Sequence, residues 1–367
     1  MSPGKIGDVV PRSGLGTNQG QGNIMASKDI QVLAICNVLK DIVIKVSDAE
    51  LASLGLTKGI MHLVGEDEQL KILSTFEQRE KAVEMGGSGP NMIRTLAVLG
   101  ETVSQAGMVG SDYYGELYLN RVKELGIINN IRKAELGSTG TAIILITPDG
   151  ERTMNTCLGM SRSYTTRDIP EADIARSKYL IVTGYQWDTD SQIEAINHAI
   201  RVARHHGTKI VFDLSDPFCV TRHRETFLNI LEEYVDIVFA NRKEAEMLTG
   251  KDSQGSLVDL AALTEIAIVK CGSQGAWIKS KKEQMFIPAN KVQVTDSTAA
   301  GDMYAGGFMY GLLQDWPLEV CGQMASFCAE TVIQYVGARI PSQLRELADD
   351  YLRQTFPQSP ELAQVNA

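Results

Sequence analysis

Asp302 follows Ala299, Ala300 and Gly301 directly, where an apolar run that reads as a strand, VQV, gives way to a helical pattern. N–H groups in the first turn of a helix lack intrahelical acceptors and carry the positive end of the helix dipole. The amides of Ala300, Gly301 and Asp302 are therefore expected to form an anion site. Asp302 is expected to stay ionised there, and it could take a proton from a hydroxyl while the anion site steadies a transferring phosphoryl group.

Three glycines follow in the same predicted helix, at Gly306, Gly307 and Gly311. Each costs a helix about 1 kcal/mol relative to alanine, so we expect another element to approach this helix closely. On local physics alone, a simple helix cap at Asp302 with glycines packed against a neighbour is the more common arrangement.

Composition and charge restrict the classes of protein. The chain has 367 residues, 44% hydrophobic and 22% charged, which is typical of a globular protein with a substantial core. Its net charge is −10 with no Lys/Arg block, which argues against nucleic acid or an anionic membrane as the main partner. The six cysteines form no CxxC pair, so we expect reduced thiols in the core rather than disulfides or a zinc site.

The N-terminal sequence and the absence of long apolar runs bear on the expected localisation of the protein. No run approaches the roughly 18 residues of a membrane span, and the N-terminus lacks the apolar core of a signal peptide. A cytoplasmic protein is expected. Residues 1–27 are polar and glycine-rich and predict a flexible tail, and residues 358–367 predict a second one.

Four continuous apolar runs predict a parallel sheet. They are KYLIVTG (178–184), TKIVFDL (208–214), VDIVFAN (235–241) and EIAIVKCG (265–272), separated by lengths that can hold crossover helices. The segment SQIEAINHAIRVARHHG has helical spacing and ends at Gly207, and SDAE at 47–50 is a capping box.

A hairpin interrupts this α/β pattern. TGTAIILITPDGERTMNTC (139–157) reads as two strands joined at Pro148, Asp149 and Gly150, which does not fit inside βαβ units. We assign it, together with DIVIKV, to a small separate sheet acting as a lid, with strands from about 41–66 and 138–160. Residues 28–357 are expected to form one domain with this lid.

Two motifs resemble those of a known family. DSTAAGDMYAGGF is similar to the C-terminal D-T-x-G-A-G-D signature of the PfkB or ribokinase family, and EMGGSGPNMIRTLAVLG resembles its N-terminal Gly-Gly signature. Similarity covers nearly all of residues 30–340, and TPDGERTMNTCLG, GYQWD and LSDPFCVTRHR look most like the bacterial adenosine-kinase-like branch. The resemblance implies a ribokinase-like α/β fold with a central, mostly parallel sheet, helices on both faces and a small β-sheet lid.

The resemblance also implies a role for each residue on the acceptor side. Asp302 would be the catalytic base, with Ala299, Ala300 and Gly301 as the anion hole and Arg152 reaching the transferred phosphate. Asp41 would bind two ribose hydroxyls. The remaining acceptor-binding residues implied are Gly86, Gly87 and Asn91, and also Asn37 for sugar or base.

On the nucleotide side the resemblance implies ATP and Mg²⁺. NRKEAEMLTG contains the family's N-x-x-E as Asn241 and Glu244, which implies Mg²⁺ held through water rather than by direct ligation. Gly272 and Gly275 in KCGSQGA would let ATP lie against their loop. The family resemblance alone suggests activation by potassium, and no residue pattern here supports it.

The sequence departs from the family pattern at four positions. Ala299 stands for the first glycine of G-A-G-D, a change that active relatives also carry, and Ser297 stands for the usual Thr. Cys36 replaces a glycine beside the sugar and puts the identity of the acceptor in doubt, and Pro90 precedes Asn91 and stiffens that loop.

Several functions stay open at this point. The leading one is transfer of the γ-phosphoryl group of ATP to a primary hydroxyl, with the 5′-hydroxyl of adenosine first and a free sugar, inosine or guanosine as alternatives. An alternative of another class is a noncatalytic nucleoside-binding protein. The presence of Asp302, Asp41 and Arg152 argues against it. Small-molecule partners are expected, and the choice between monomer and homodimer stays open. G-x-x-x-x-G-K-[ST] and H-R-D motifs are absent, so a P-loop or protein-kinase site has little support.

Overall fold

The computed structural model describes residues 27–358. The tails predicted for 1–27 and 358–367 lie almost entirely outside this range. Within it the chain forms two β-sheets, whose strands are, in chain order, β1 (Ile30–Ile35), β2 (Leu39–Lys45), β3 (Met61–Leu63), β4 (Ala82–Gly86), β5 (Val103–Val109), β6 (Ile128–Lys133), β7 (Thr139–Ile146), β8 (Arg152–Gly159), β9 (Ser177–Thr183), β10 (Lys209–Asp213), β11 (Ile237–Asn241), β12 (Ile266–Lys270), β13 (Gly275–Ser280) and β14 (Gln284–Pro288).

Helices connect these strands. They are α1 (Asp48–Ser53), α2 (Glu66–Thr75), α3 (Ser88–Val98), α4 (Tyr113–Glu124), α5 (Glu171–Arg176), α6 (Asp190–His205), α7 (Pro217–Glu233), α8 (Arg242–Thr249), α9 (Ser253–Leu263), α10 (Ala300–Leu313), α11 (Leu318–Val332) and α12 (Leu344–Thr355). Ser47 caps α1 in the predicted capping box, and Gly207 follows α6 with φ +65°. Among the helices described, none is both long enough and apolar enough to cross a bilayer.

The large sheet has the order β14-β13-β12-β11-β10-β9-β1-β5-β6. The four apolar runs form β9 to β12, and these strands pair in parallel. Only β13 and β14, at one edge, pair antiparallel. Two hydrophobic clusters cover the two faces of the sheet, one including α3, α10 and α11 and the other α6 to α9. The prediction of a mostly parallel α/β sheet with helices on both faces is confirmed.

The small sheet has the order β3-β8-β7-β2-β4. β7 and β8 form an antiparallel hairpin, and β2 pairs in parallel with β7. β4 also belongs to this sheet. Its residues carry no clear strand pattern, because most of them are only partly buried. Helices α1 and α2 cover one face with a cluster that includes Ile42, Leu51, Ile72 and Ile143.

Helix α10 packs closely against two neighbours, as its glycines predicted. A Cβ on Gly306 would lie 2.8 Å from Thr95 Cβ in α3, and one on Gly307 2.9 Å from Cys328 Sγ in α11. The strand expected at VQV, before this helix, was wrong. These residues are largely exposed, and the following N–H groups, of Thr295 and Asp296, donate to Ile333 O instead of to a sheet.

Candidate active site

A cavity of about 100 Å³ lies between the small sheet and the large sheet; we call it the acceptor pocket. Residues of both sheets line it, together with the start of α3 and the start of α10. Of the predicted site residues, the ones in its wall are Asn37, Asp41, Gly87, Asn91, Arg152, Ala299 and Asp302. The fold therefore brings together residues that are separated by up to 265 positions in the chain.

Asp302 is held by two donors from α3. Ser88 Oγ donates to Asp302 Oδ1 at 2.5 Å, and Asn91 Nδ2 donates to Oδ2 at 2.7 Å. Burial raises the pKa of Asp302, and the two hydrogen bonds oppose that rise. The expectation from the helix dipole alone would have been a lowered pKa, so desolvation outweighs the dipole here. A carboxylate fixed in this way can serve as a base.

The loop before α10 presents its backbone to the pocket. Ala299 has φ +63°, a left-handed conformation that glycine adopts more easily than alanine. The N–H of Ala300 donates to Ser297 O at 3.3 Å. Gly301 and Asp302 follow in the first turn, where the helix itself offers no acceptor. Their two amides are the best placed to bind an anion.

Asp41 lies against the backbone of Gly86. A Cβ on Gly86 would come within 1.9 Å of Asp41 Oδ1, so only glycine leaves this carboxylate its place. Gly87 has φ +96° and would direct a Cβ to within 2.5 Å of Asn37 O. Burial raises the pKa of Asp41 to about 7, with Arg94 acting in the opposite direction. The two glycines thus shape a cradle around one buried acid.

Two asparagines of the pocket are fixed by neighbours. Asn37 Nδ2 donates to Tyr185 O at 3.3 Å, and its Oδ1 accepts from Gln192 Nε2 at 2.6 Å. Asn91, besides holding Asp302, accepts from Arg94 Nη2 through Oδ1. Both side chains are therefore oriented before a ligand arrives.

Arg152 begins the second strand of the hairpin and lies near both acids. Its charge opposes the rise in pKa of Asp41 and of Asp302. The hairpin turn contacts the anion loop, because Ser297 Oγ donates to Gly150 O at 3.3 Å. The small sheet is thus closed over the pocket.

The predicted N-x-x-E pair forms a capping box. Asn241 Oδ1 accepts from the N–H of Glu244, and the Glu244 carboxylate accepts from Asn241 N at 2.7 Å and from Nδ2 at 2.5 Å. Glu244 is buried, and burial, with Asp213 next, raises its pKa. Within residues 27–358 no group of three metal-ligand side chains occurs.

The two predicted glycines of the nucleotide loop differ in surroundings. Gly272 has φ +58° and open space where a Cβ would lie. A Cβ on Gly275 would lie 2.0 Å from Ile287 O, so packing between β13 and β14 already requires glycine there. Of these two glycines, only Gly272 has free space in front of its backbone where a ligand could lie.

Sequence reasoning missed Lys270 and Asp213. Lys270 Nζ is 3.0 Å from Asp213 Oδ2, and 3.2 Å from where a Cβ on Gly301 would lie. Burial alone would lower the pKa of Lys270, but Asp213 and Glu244 outweigh it and raise the pKa. A lysine within KCGSQG carried no motif signal, and only the fold places its charge beside the anion loop.

Asp188 is another missed residue of the pocket wall. Its side chain is 1% exposed and pairs with Arg222 through Oδ1, while Oδ2 has no hydrogen-bond partner among the described residues. A buried carboxylate oxygen without a donor is costly unless a ligand supplies one. In the sequence, Asp188 stands out only as the last residue of GYQWD, a segment that resembles the bacterial adenosine-kinase-like branch.

Comparison with known proteins agrees with this geometry. Residues 48–345 match the family described as pfkB family carbohydrate kinase. The structure superimposes on an adenosine kinase from Sinorhizobium meliloti with a TM-score of 0.84 and 33% identity, covering 88% of this chain and 99% of that one. A probable sugar kinase from Rhizobium etli gives the same TM-score and identity, with 88% and 98% covered.

A curated relative points to the same chemistry. Ribokinase from Schizosaccharomyces pombe is 28% identical over 272 residues, which cover 71% of this chain and 84% of that protein. The match to the family spans most of the chain, and the predicted signatures of that family meet in one pocket. The chain therefore belongs to the pfkB family of carbohydrate kinases and is a phosphotransferase.

Proposed function

We propose that this kinase transfers the γ-phosphoryl group of ATP to the 5′-hydroxyl of adenosine, giving AMP and ADP. The observation that carries the proposal is the division of the acceptor pocket into a polar floor and an apolar wall. The floor holds Asp41, Asn91 and Asp302. The wall, from the small sheet, contains Thr156 and is otherwise apolar, with Leu39, Met61, Leu63, Ala142, Ile144, Met154 and Leu158.

This division suits a nucleoside better than a free sugar. A purine ring is flat and largely apolar, so it can pack against aliphatic side chains while the ribose reaches the polar floor. A free sugar carries hydroxyls on every side and would leave several of them facing the apolar wall without partners. The pocket therefore favours a ligand with one polar and one apolar end.

In this proposal Asp302 removes the proton of the 5′-hydroxyl as the oxygen attacks phosphorus. The amides of Gly301 and Asp302 stabilise charge on the transferring group, and Arg152 contributes a guanidinium from the small sheet. Asp41 accepts hydrogen bonds from two ribose hydroxyls. The closed small sheet excludes water and so limits hydrolysis of ATP.

The nucleotide would lie beyond the anion loop, toward Lys270, Glu244 and Gly272. Mg²⁺, when bound with ATP, neutralises phosphate charge. Glu244 uses both carboxylate oxygens in its cap with Asn241, which supports an indirect hold on the metal through water.

The experiment is ATP- and Mg²⁺-dependent phosphorylation of adenosine, inosine, guanosine, cytidine, ribose and fructose, with products identified by mass. We expect adenosine to have the highest kcat/KM. Preference for another nucleoside would keep the mechanism and replace the acceptor. No turnover with any acceptor, despite measurable nucleoside binding, would support a noncatalytic protein.

A free sugar is the second candidate, since the Rhizobium etli structure, described as a probable sugar kinase, is as similar as the adenosine kinase. Ribose and adenosine share every contact proposed for the floor of the pocket and differ only in contacts with the apolar wall and with Asp188. A kcat/KM for ribose at or above that for adenosine would establish this candidate.

Lys270→Met is expected to raise KM for ATP and lower kcat by about tenfold to a hundredfold, because it removes a cation beside the anion loop. Acceptor affinity should change little. Breaking the buried pair leaves Asp213 unpaired and destabilises the fold, so the variant Asp213→Asn/Lys270→Met restores charge balance. If this double variant kept the wild-type KM for ATP and the wild-type kcat, Lys270 would have only a structural role.

The pKa of Asp41 predicts a pH dependence. Because burial raises this pKa to about 7, Asp41 is protonated below that pH and accepts poorly from two hydroxyls. We expect kcat/KM for adenosine to rise with pH through about 7, while kcat/KM for ATP does not follow it. Asp41→Asn should abolish this step, and a step that persists in the variant would assign it to another group.

Asp188 predicts discrimination at the purine ring. Its Oδ2, without a donor in the described chain, can accept from an exocyclic amino group such as the 6-amino group of adenine. Adenosine should therefore bind about tenfold to a hundredfold more tightly than inosine or purine riboside. Asp188→Ala should remove this difference while kcat for adenosine stays near wild type; equal weakening of all three nucleosides would contradict it.

A further inference from the structure

A second cavity, which we call the outer cavity, lies outside the acceptor pocket. It has a volume of about 520 Å³ and is bounded by β2 and β4 of the small sheet, by α3 and α4, and by residues 335–343. No role proposed above uses it. Its walls join the small sheet to the main body of the protein.

The walls of the outer cavity are strongly cationic. They contain Lys40, Arg94, Arg121 and Arg339, with Glu84 as the single acid in the wall. Four cations to one acid is unusual in a chain whose net charge is −10. Such clustering is typical of a surface that attracts anions.

Acidic residues outside the wall offset only part of this charge. Glu124 pairs with Arg121 at 2.9 Å. Asp112 acts on Lys40 and Asp41 acts on Arg94, but neither acid forms an ion pair with that cation in the described chain, and Asp112 is itself bonded to Thr139. Within residues 27–358, Arg339 has no ion pair. A positive excess therefore remains in the cavity.

Arg94 is the most informative residue in this wall. It is only 6% exposed, and Nη2 makes its hydrogen bonds, to Met85 O at 2.7 Å and to Asn91 Oδ1. Its Nε has no partner among the described residues. A buried guanidinium with unused donors is costly, and an anion in the cavity would supply the missing acceptors.

The start of α12 adds a third source of positive potential. Ser342 and Gln343 line the cavity, and Gln343 is the N-cap of a helix of 12 residues without a side-chain hydrogen bond to that cap. The dipole of this helix end favours a negative charge nearby, although the N–H of Leu344 already donates to Pro341 O at 3.1 Å.

We propose that the outer cavity binds the phosphate group of a small phosphorylated metabolite, or free phosphate, held by Arg94, Arg121 and Arg339. Arginine forks match phosphate oxygens in paired hydrogen bonds. The bound group would bridge the small sheet and the main body, and so favour the closed arrangement. Through Arg94 it would also act on Asn91, and through Asn91 on Asp302.

The first test is calorimetric titration with inorganic phosphate and with ribose 5-phosphate at constant ionic strength. The variant Arg121→Gln/Arg339→Gln removes two cations of the cavity outside the acceptor pocket. The matched control is Arg132→Gln/Arg353→Gln, which removes two arginines that are 62% and 60% exposed and lie outside the cavity.

We expect a class of sites in the wild type whose affinity falls at least tenfold in Arg121→Gln/Arg339→Gln and is unchanged in the control. Phosphate bound at the anion loop would appear as a second class that neither variant changes. A stronger signal with ribose 5-phosphate than with phosphate would identify a phosphorylated metabolite, and the reverse would identify free phosphate. Identical isotherms for both variants, or no binding at all, would overturn the proposal.

The second test concerns the coupling to Asp302. Saturating phosphate should shift the pH profile of kcat in the wild type and in the matched control. It should leave the profile unchanged in Arg121→Gln/Arg339→Gln, whose turnover without phosphate stays at the wild-type level. Equal shifts in all three proteins would place the effect at the anion loop and overturn the coupling.

Discussion

Asp302→Asn is expected to lower kcat by roughly a thousandfold or more while adenosine and ATP still bind, because the variant keeps the shape of the side chain and loses the base. The local hydrogen bonds can survive. The amide oxygen would face Asn91 Nδ2, and the new NH₂ group would face Ser88 Oγ, whose hydroxyl can rotate and accept. Initial rates and equilibrium binding of both ligands measure the effect.

Asp315→Asn is the matched control, since it makes the same charge change at an exposed residue just beyond the other end of α10. It should leave turnover and binding unchanged. Near-normal kcat in Asp302→Asn would remove Asp302 as the base. A loss of adenosine binding equal to the loss of turnover would indicate a binding role instead.

Asp41→Ala is expected to raise KM for adenosine about a hundredfold with a much smaller change in kcat, since two charge-assisted hydrogen bonds to the ribose are lost. The affinity for ATP should not change. Because burial raises the pKa of Asp41 to about 7, the ionised carboxylate is an unfavourable group in the unliganded fold. Removing it should therefore leave the melting temperature at pH 8 unchanged or slightly higher.

Asp67→Ala, at an exposed residue in the first turn of α2, controls for loss of one acid near the small sheet. Adenosine kinetics should be normal in this variant. An unchanged KM in Asp41→Ala would mean that the sugar lies elsewhere in the pocket. 2′-Deoxyadenosine offers a further check, because its KM should rise less than that of adenosine when Asp41 is replaced by Ala.

Much of the fold could be predicted because its signals are local. Runs such as KIVFD have a continuous apolar centre, as strands covered on both faces must, and Pro148 to Gly150 indicate a tight turn. The glycines of α10 indicated a close approach before the partner helices were known. β4 was missed because AVEMG, with a half-buried pattern, carries neither clear alternation nor a continuous apolar run.

The parts of the site that escaped prediction depend on contacts distant in the chain. Lys270 belongs to the site because it pairs with Asp213 and lies beside Gly301. Arg94 matters because it donates to Asn91 and lines the outer cavity. The direction of the pKa shift at Asp302 was also hidden, since a helix start predicts a lowered value and only the packed structure shows the stronger desolvation. Sequence patterns therefore indicated the chemistry of a family, whereas the electrostatic surroundings of the site depend on contacts that only the fold creates.

The hydrophobic clusters of the small sheet are separate from the two that cover the large sheet. The small sheet can therefore move, or even unfold locally, without breaking the packing of the large one. Its amides should exchange with deuterium as a cooperative group of lower protection, and bound adenosine should slow that exchange. A substitution such as Ile72→Ala, in the cluster of the small sheet, would then raise the population of opened molecules. It should weaken acceptor binding while the melting temperature of the rest of the protein stays the same.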